Sequence, residues 1–293
     1  HLSRVLASTS VAILPVFLLT PIILIRYRRK GRASYRPKWE FNPVLETFIW
    51  GVPVTIVVVL AVQLWTATHR IDPYSPLPGT PVCVQAVGLD WKWLFIYPQE
   101  EIAVIGEMAV PVGQPVAVEL TTDTVMQSFR ISALAGQIYA MPGMRTALHF
   151  EASAQGETRG ENTQYNGDGF PQQRFPVKAL PEGQWQQWVA NVRATGLELT
   201  DEVYAKIGVQ GDLAATRPAL GITADGPIYL SITDPNLFGR VIARYHTGAA
   251  LDPAHQPGSD TYDPERAMLP RDPMVMHGAG AIGCGTTGHS THG

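Results

Sequence analysis

Soft-metal ligands are scarce in this 293-residue sequence, most of all where its strand-like texture is strongest. Between Thr80 and Leu180 there is one cysteine, Cys83, and one histidine, His149. A type 1 or dinuclear copper site needs at least one thiolate with imidazoles nearby, so this stretch cannot build one. Around His149 the alternation puts Thr146, Leu148 and Phe150 on one strand face, and His149 on the other with Ala147 and Glu151. The pattern predicts a solvent-side histidine rather than a ligand. The second cysteine, Cys284, is remote, and no disulfide framework or zinc motif can be read from the pair. Strong net charge is also missing. A formal charge of −3 implies no polyanionic partner, and nucleic acid is excluded on that ground. There is no nucleotide-binding glycine loop and no nucleophile elbow at a strand–helix junction. The length suits about two domains. Because the sequence begins at His1 rather than Met, a removed signal or lipoprotein segment is expected ahead of it.

Charge is absent altogether from two long runs, Val5 to Ile25 and Thr47 to Thr68. Each is long enough to cross a bilayer core of roughly 30 Å as a helix. Pro15, Pro21 and Pro53 are compatible with spans, since neighbouring helices satisfy the freed backbone groups. Between the runs lie Arg26, Arg28, Arg29, Lys30, Arg32, Arg36 and Lys38, whereas the outer flanks carry Arg4 and Arg70. That asymmetry places the short loop in the cytoplasm, with both termini and everything after Thr68 outside. The expectation is a transmembrane helical hairpin over residues 1–70.

Residues 71–80 are rich in proline and polar side chains and read as a linker. After them come short alternating runs, such as Val82/Val84/Ala86 and Val116/Val118/Leu120, separated by Gly and Pro. This texture over residues 81–180 predicts an antiparallel sandwich. Asp90–Tyr97 carries four aromatics in eight residues, read as core and interface packing. Met141 and Met144 read the same way. Residues 181–248 form an aromatic-rich helical extension. Trp185, Trp188, Val189 and Val192 fall at helical spacing in Glu182–Thr195, and Asp234-Pro235 opens a helix running to about Tyr245. Residues 249–293, ending in His277, Cys284, His289 and His292, read as a flexible Gly/His/Pro-rich tail.

The stretch Gly156–Phe175, GETRGENTQYNGDGFPQQRF, has a distinctive frame set by Gly160 and Gly167. It resembles the copper-binding loop of subunit II of the heme–copper oxidases, G-x-C-x-x-x-C-G-x-x-H-x-x-M. Asn162 and Asn166 stand at the cysteine positions, Phe170 at the histidine and Gln173 at the methionine. Gln164 stands where relatives use a backbone carbonyl. Upstream, Val125–Phe129 resembles V-x-H-S-F/W, with Gln127 in place of the histidine. Neutral amides are poor substitutes for thiolate, thioether and imidazole, so these copper-ligand positions read as vacated. Asp90–Tyr97 and Gln137–Met144 extend the resemblance to the quinol-oxidase branch of that family, from about Val5 to Tyr245.

The resemblance implies an all-β cupredoxin-like Greek-key sandwich after the hairpin, with a short helical C-terminal extension. It implies a non-catalytic subunit II of a proton-pumping quinol oxidase in the bacterial inner membrane. Its partners would be subunits I, III and IV and membrane lipid, with quinol as electron donor and no cytochrome c. This chain would bind no cofactor, and hemes and one copper would sit in subunit I. The run Asn42-x-x-x-Glu46-x-x-x-Trp50-x-x-Pro53 resembles the family segment whose glutamate lies at the mouth of a proton path. Glu46 is therefore a proton-entrance candidate; the other reading is a helix N-terminal carboxylate favoured by the macrodipole. The alternative function is a free-standing membrane-anchored binding or copper-handling module that uses the His-rich tail. Co-purification with a heme-bearing partner separates the two.

Overall fold

The computed structural model describes residues 2–28, 41–70, 77–195 and 197–273. The chain divides into two units, His1–Asp72 and Pro73–Gly293. The basic residues from Arg29 to Lys38, most of the proposed linker and the tail's His277, Cys284, His289 and His292 lie outside the described residues.

The first unit has two helices, α1 (Leu2–Arg26) and α2 (Pro43–Arg70), which touch each other. Asn42 caps α2: its Oδ1 accepts from the backbone N–H of Val44 at 3.1 Å and of Leu45 at 3.2 Å. Pro43 follows at the first helical position, where its missing N–H costs nothing. The helix is apolar on every side. Its Pro43–Thr68 stretch has a mean hydropathy of 2.1 and none of it is buried within the protein, as expected of a lipid-facing helix. Of the two expected spans, this one meets the length and apolarity of a crossing. The described apolar stretch of α1, Ile13–Arg26, is shorter than a bilayer core.

The second unit is a β-sandwich with an appended helical layer. Its strands are β1 (Val82–Leu89), β2 (Lys92–Tyr97), β3 (Ile102–Ile105), β4 (Met108–Pro111), β5 (Pro115–Thr122), β6 (Gln127–Ile131), β7 (Ala135–Ala140), β8 (Thr146–Glu151), β9 (Gly156–Asn162) and β10 (Arg174–Leu180). After β10 come α3 (Glu182–Thr195), β11 (Leu197–Leu199), α4 (Asp201–Gly208), α5 (Leu213–Ala219), β12 (Ile228–Ile232) and α6 (Leu237–Ala243). One sheet runs β11-β12-β3-β2-β1-β5-β8, and the other runs β4-β10-β9-β6-β7. The sandwich is mixed rather than antiparallel throughout, because β1 pairs with β5, β4 with β10 and β11 with β12 in parallel. Parallel neighbours need a crossover. For β1 and β5 it is the β2–β3 hairpin and β4, which visits the opposite sheet.

Between the sheets lie Val84, Trp93, Phe95, Tyr97, Val118, Phe129 and Phe175, closed off by Trp185, Val189 and Val192 of α3. Trp93 meets Phe129 edge-on at 5.1 Å, and Phe95 meets Phe175 at 4.8 Å. The aromatics of Asp90–Tyr97 at alternate positions from Trp93 onward are therefore core. Each large apolar side chain buried this way contributes about 1.5–3 kcal/mol. A second apolar cluster coats the outer face of the larger sheet, where Val87, Leu89, Leu94 and Ile96 meet Tyr204, Ile207, Phe238, Val241 and Leu269. β1 and β2 are thus buried on both faces, which explains their nearly continuous apolar sequence.

Several expectations shift here. Residues 249–273, expected in a solvated tail, are packed: Ala267 is 2% and Leu269 6% exposed. Arg240 Nε also donates to the Pro270 carbonyl at 2.7 Å. The last helix is capped at Asn236 rather than Asp234, and Asp234 instead accepts from the Asn236 N–H and pairs with Arg240. His149 is only 9% exposed, so the solvent-side placement from alternation is corrected. Alternation assigns a face, but cannot say whether something covers that face.

Candidate functional site

Four of the six singled-out side chains meet in one buried cluster at an end of the sandwich. Gln127 starts β6 and Asn162 ends β9, two adjacent strands of the smaller sheet, while Gln173 immediately precedes β10. Gln173 is the hub. Its Oε1 accepts from Asn162 Nδ2 and Asn166 Nδ2, each at 2.9 Å. Its Nε2 donates to Gln127 Oε1 at 2.6 Å and to the Leu89 carbonyl at 3.1 Å. Gln127 Nε2 donates in turn to Leu89 O at 3.1 Å and Thr124 Oγ1 at 3.2 Å. Gln127 is fully buried and Gln173 is 1% exposed, so each donor and acceptor must find a partner inside the protein.

Asn162 also organises the backbone. Its Oδ1 accepts from the N–H groups of Ser128 and Gln164, both at 2.9 Å, and its Nδ2 donates to Gln164 O at 2.8 Å. Gln164 therefore takes part through its main chain. Phe170 does not join the cluster; its ring packs against Tyr165 with centroids 5.8 Å apart. Spacing along the loop identifies positions, but it does not fix the direction in which a side chain at the following turn points.

The loop is held from the other sheet by Trp91, which occupies a left-handed conformation (φ 74°) in the turn between β1 and β2. Its indole N–H donates to the Asn166 carbonyl at 3.1 Å. The ring lies over Gly167 and Gly169, and a Cβ at Gly169 would fall 1.9 Å from Trp91 Cδ2. Gly167 has φ +111°, a conformation that glycine adopts without strain. The indole requires glycine at 169, and the backbone conformation favours it at 167.

These residues do not fit copper. An amide nitrogen is a donor with no free lone pair, and an amide oxygen is a hard ligand. Here the Gln173 and Asn162 oxygens already accept two hydrogen bonds each. Among the described residues no three His, Cys, Asp or Glu side chains gather as a metal-binding group.

Two charged features border the cluster, and neither was anticipated. Lys92, whose carbonyl lies 3.5 Å from Gln173 Nε2, buries its ammonium among the carbonyls of Asp90, Val209 and Gly211. Burial pushes its pKa down to about 8 against the pull of Asp90 and Asp212. One residue before Thr124, Asp123 is fully buried. It accepts from Tyr204 at 2.7 Å, Arg244 at 2.8 Å and Tyr245 at 3.0 Å. Burial raises its carboxyl above the usual range, opposed by the Arg244 guanidinium and the two hydroxyls. The partners come from the extension, far along the chain, so no sequence spacing signals the contact. Asp90–Tyr97 did flag Trp91 and Lys92, but for its aromatics rather than its charge.

No family model matches the chain. Curated relatives do. The cytochrome bo(3) ubiquinol oxidase subunit 2 of Pseudomonas aeruginosa is 38% identical over 249 residues, 84% of this chain and 72% of that protein. The ubiquinol oxidase subunit 2 of Acetobacter aceti is 36% identical over 248 residues, 83% of this chain and 76% of the relative. Quinol oxidase subunit 2 of Bacillus spizizenii is 34% identical, covering 66% of this chain and 61% of that protein. Among solved structures, the periplasmic domain of subunit II of cytochrome oxidase (CoxB) of Bradyrhizobium japonicum aligns with a TM-score of 0.39 and 21% identity. It covers 40% of this chain and 96% of that domain.

Proposed function

The chain belongs to the ubiquinol oxidase subunit 2 family, and from that premise we propose how it serves its complex. It is a subunit of a quinol oxidase of the respiratory chain. In our reading it carries no redox centre and is non-catalytic; hemes and one copper reside in subunit I, and subunits III and IV complete the assembly. The complex passes electrons from membrane quinol to oxygen, forming water and pumping protons. The observation that carries this reading is the amide cluster on the copper-loop frame. A water-soluble donor docking on the outer face needs a redox centre in the outer unit, whereas quinol reaches the membrane-embedded partner directly. Gln127, Asn162 and Gln173 spend their hydrogen-bonding groups on one another, on Thr124 and on the backbone, Asn166 donates to Gln173, and neutral amides do not supply that centre.

The same reading places α1 and α2 as a two-span hairpin in the bacterial inner membrane, with the cupredoxin-like outer unit in the periplasm. Basic Arg26 and Arg28 at the end of α1 and the contact between the helices support it. Five of the eight large apolar side chains exposed on the described outer unit, Val125, Met126, Tyr139, Met144 and Tyr165, flank β6 and its neighbouring loops. Tyr and Met are favoured in protein interfaces, so this end suits a contact with subunit I. Oxygen uptake by the purified complex tests the electron route: rapid turnover is expected with a short-chain quinol and negligible turnover with reduced cytochrome c. The opposite result would overturn it.

Glu46 is proposed at a proton entrance. It sits in the first turn of α2, where Trp50 Nε1 donates to Glu46 Oε2 at 3.1 Å. Glu46→Ala should slow turnover by less than about tenfold, because water substitutes in a wide entrance, with heme content unchanged. Full turnover in an assembled Glu46→Ala complex would leave only the helix-end role.

A further inference from the structure

The guanidinium of Arg244 is engaged on one side only. Its Nη1 donates to Asp123 Oδ2 at 2.8 Å, whereas Nε and Nη2 meet no acceptor among the described residues. These two nitrogens form one edge of the planar group, and their N–H bonds point the same way. Arg244 is 2% exposed, so bulk solvent does not serve that edge. Described residues enclose it. Asp123, Tyr204, Tyr245 and Tyr262 lie within electrostatic reach, and Tyr262 is fixed by donating to the Ala205 carbonyl at 2.9 Å. Buried charged donors without a partner are costly, and folded proteins seldom keep them.

A carboxylate oxygen at the border of the same cluster has the converse need. Asp90 is buried; its Oδ2 accepts from Gln210 Nε2 at 3.2 Å, while Oδ1 meets no donor among the described residues. The Asp90 carboxylate lies beside the Asp123 segment, since a Cβ at Gly258 would fall 2.6 Å from Asp90 Oδ2 and 3.2 Å from Thr124 Cβ. Burial raises the Tyr245 phenol, and the charges of Asp123 and Asp90 both add to that rise. Donors without an acceptor and an acceptor without a donor, not bonded to each other, call for a mediator that can do both. We propose that bound water fills the free edge of Arg244 and carries its hydrogen bonding on to Asp90 Oδ1. Water can accept from Nε–H and Nη2–H and donate to the carboxylate, about the three bonds usual for a buried water. An anion fits poorly. Asp90 and Asp123 already balance Lys92 and Arg244, so a further negative charge would be buried without a counter-charge. The water site links the ionic pair that fastens the extension to the turn carrying Trp91 and Lys92.

The test is cryo-electron microscopy of the purified complex, carried to a resolution at which ordered water is seen. Density is expected at hydrogen-bond distance, about 2.7–3.2 Å, from both Nε and Nη2, continuing through water to Asp90 Oδ1. A second map from complex prepared in chloride-free buffer should show the same density. An edge without density, or one filled by a side chain or a lipid group, would overturn the proposal. So would water in the edge with no water-mediated path to Asp90. Density that disappears when chloride is removed would assign the site to an anion instead, and would overturn it equally.

Discussion

Two buried polar clusters meet at the segment Asp123–Gln127, and they are built in opposite ways. The cluster around Gln173 is neutral: four amides bonded to one another and to the backbone, with the Asn166 side-chain oxygen alone among them left without a partner. The cluster around Asp123 is ionic, with a carboxylate and a guanidinium withdrawn from water and two tyrosine hydroxyls completing the shell. An amide cluster costs little to bury once satisfied, and each of its bonds contributes about 1 kcal/mol. A buried ion pair repays its desolvation only while both members are present. The first fills a space within the sandwich. The second fastens the extension to it, because Tyr204, Arg244 and Tyr245 all lie beyond α3.

The largest effect expected from this contrast comes from converting the neutral cluster into a soft one. The set Gln127→His, Asn162→Cys, Asn166→Cys, Phe170→His and Gln173→Met, with Gln164→Glu, should take up copper and show thiolate-to-copper charge-transfer absorption. Phe170 is the position on which the outcome turns, since its ring lies outside the cluster. A folded but colourless variant would mean that the turn carrying residue 170 cannot aim an imidazole inward.

Next in size is the ionic cluster. Arg244→Ala should destabilise the protein by about 3–5 kcal/mol, because it leaves Asp123 charged and buried without its partner. Adding Asp123→Asn should recover part of that loss, which chemical denaturation can measure. If Arg244→Ala costs no more than a surface substitution, Asp123 does not hold the extension.

Smaller again is the pH dependence set by Lys92. Its ammonium titrates near pH 8 when folded against 10.5 when unfolded, so between those values the unfolded chain binds more protons. Stability therefore rises with pH across that window, by on the order of 2–3 kcal/mol. Urea unfolding at pH 7.5 and 9.5 should show the gain, and Lys92→Met should flatten it. An equal gain in Lys92→Met would assign the dependence to another group.

Much of the neutral cluster was legible in the sequence because its loop keeps a fixed spacing, from Gly160 and Gly167 to the amides at 162, 166 and 173. The helix at Glu182–Thr195 was legible for a similar reason: its apolar residues repeat with a helical period. What escaped depended on distance or on coverage. Asp123 and Arg244 are separated by the whole extension, and the parallel pairing of β1 with β5 leaves no local trace. α4 and α5, of eight and seven residues, are too short to show a period. Residues 249–273 looked solvated because proline and polar residues are frequent in them, yet a few side chains such as Leu269 suffice to dock them.

Trp91 has a consequence for how such loops are interpreted. Its indole is a template against which the chain from Asn166 to Gly169 is moulded, through one hydrogen bond and two glycines that leave room for the ring. The contour of the loop is thus set from outside and needs no metal to impose it. Glycine spacing and donor chemistry then carry separate messages: the glycines report the shape of the mould, and the residues between them report what is cast in it. Replacing Gly169 with a larger residue would spoil the shape while leaving every potential ligand in place, and replacing the amides would change the contents while leaving the shape.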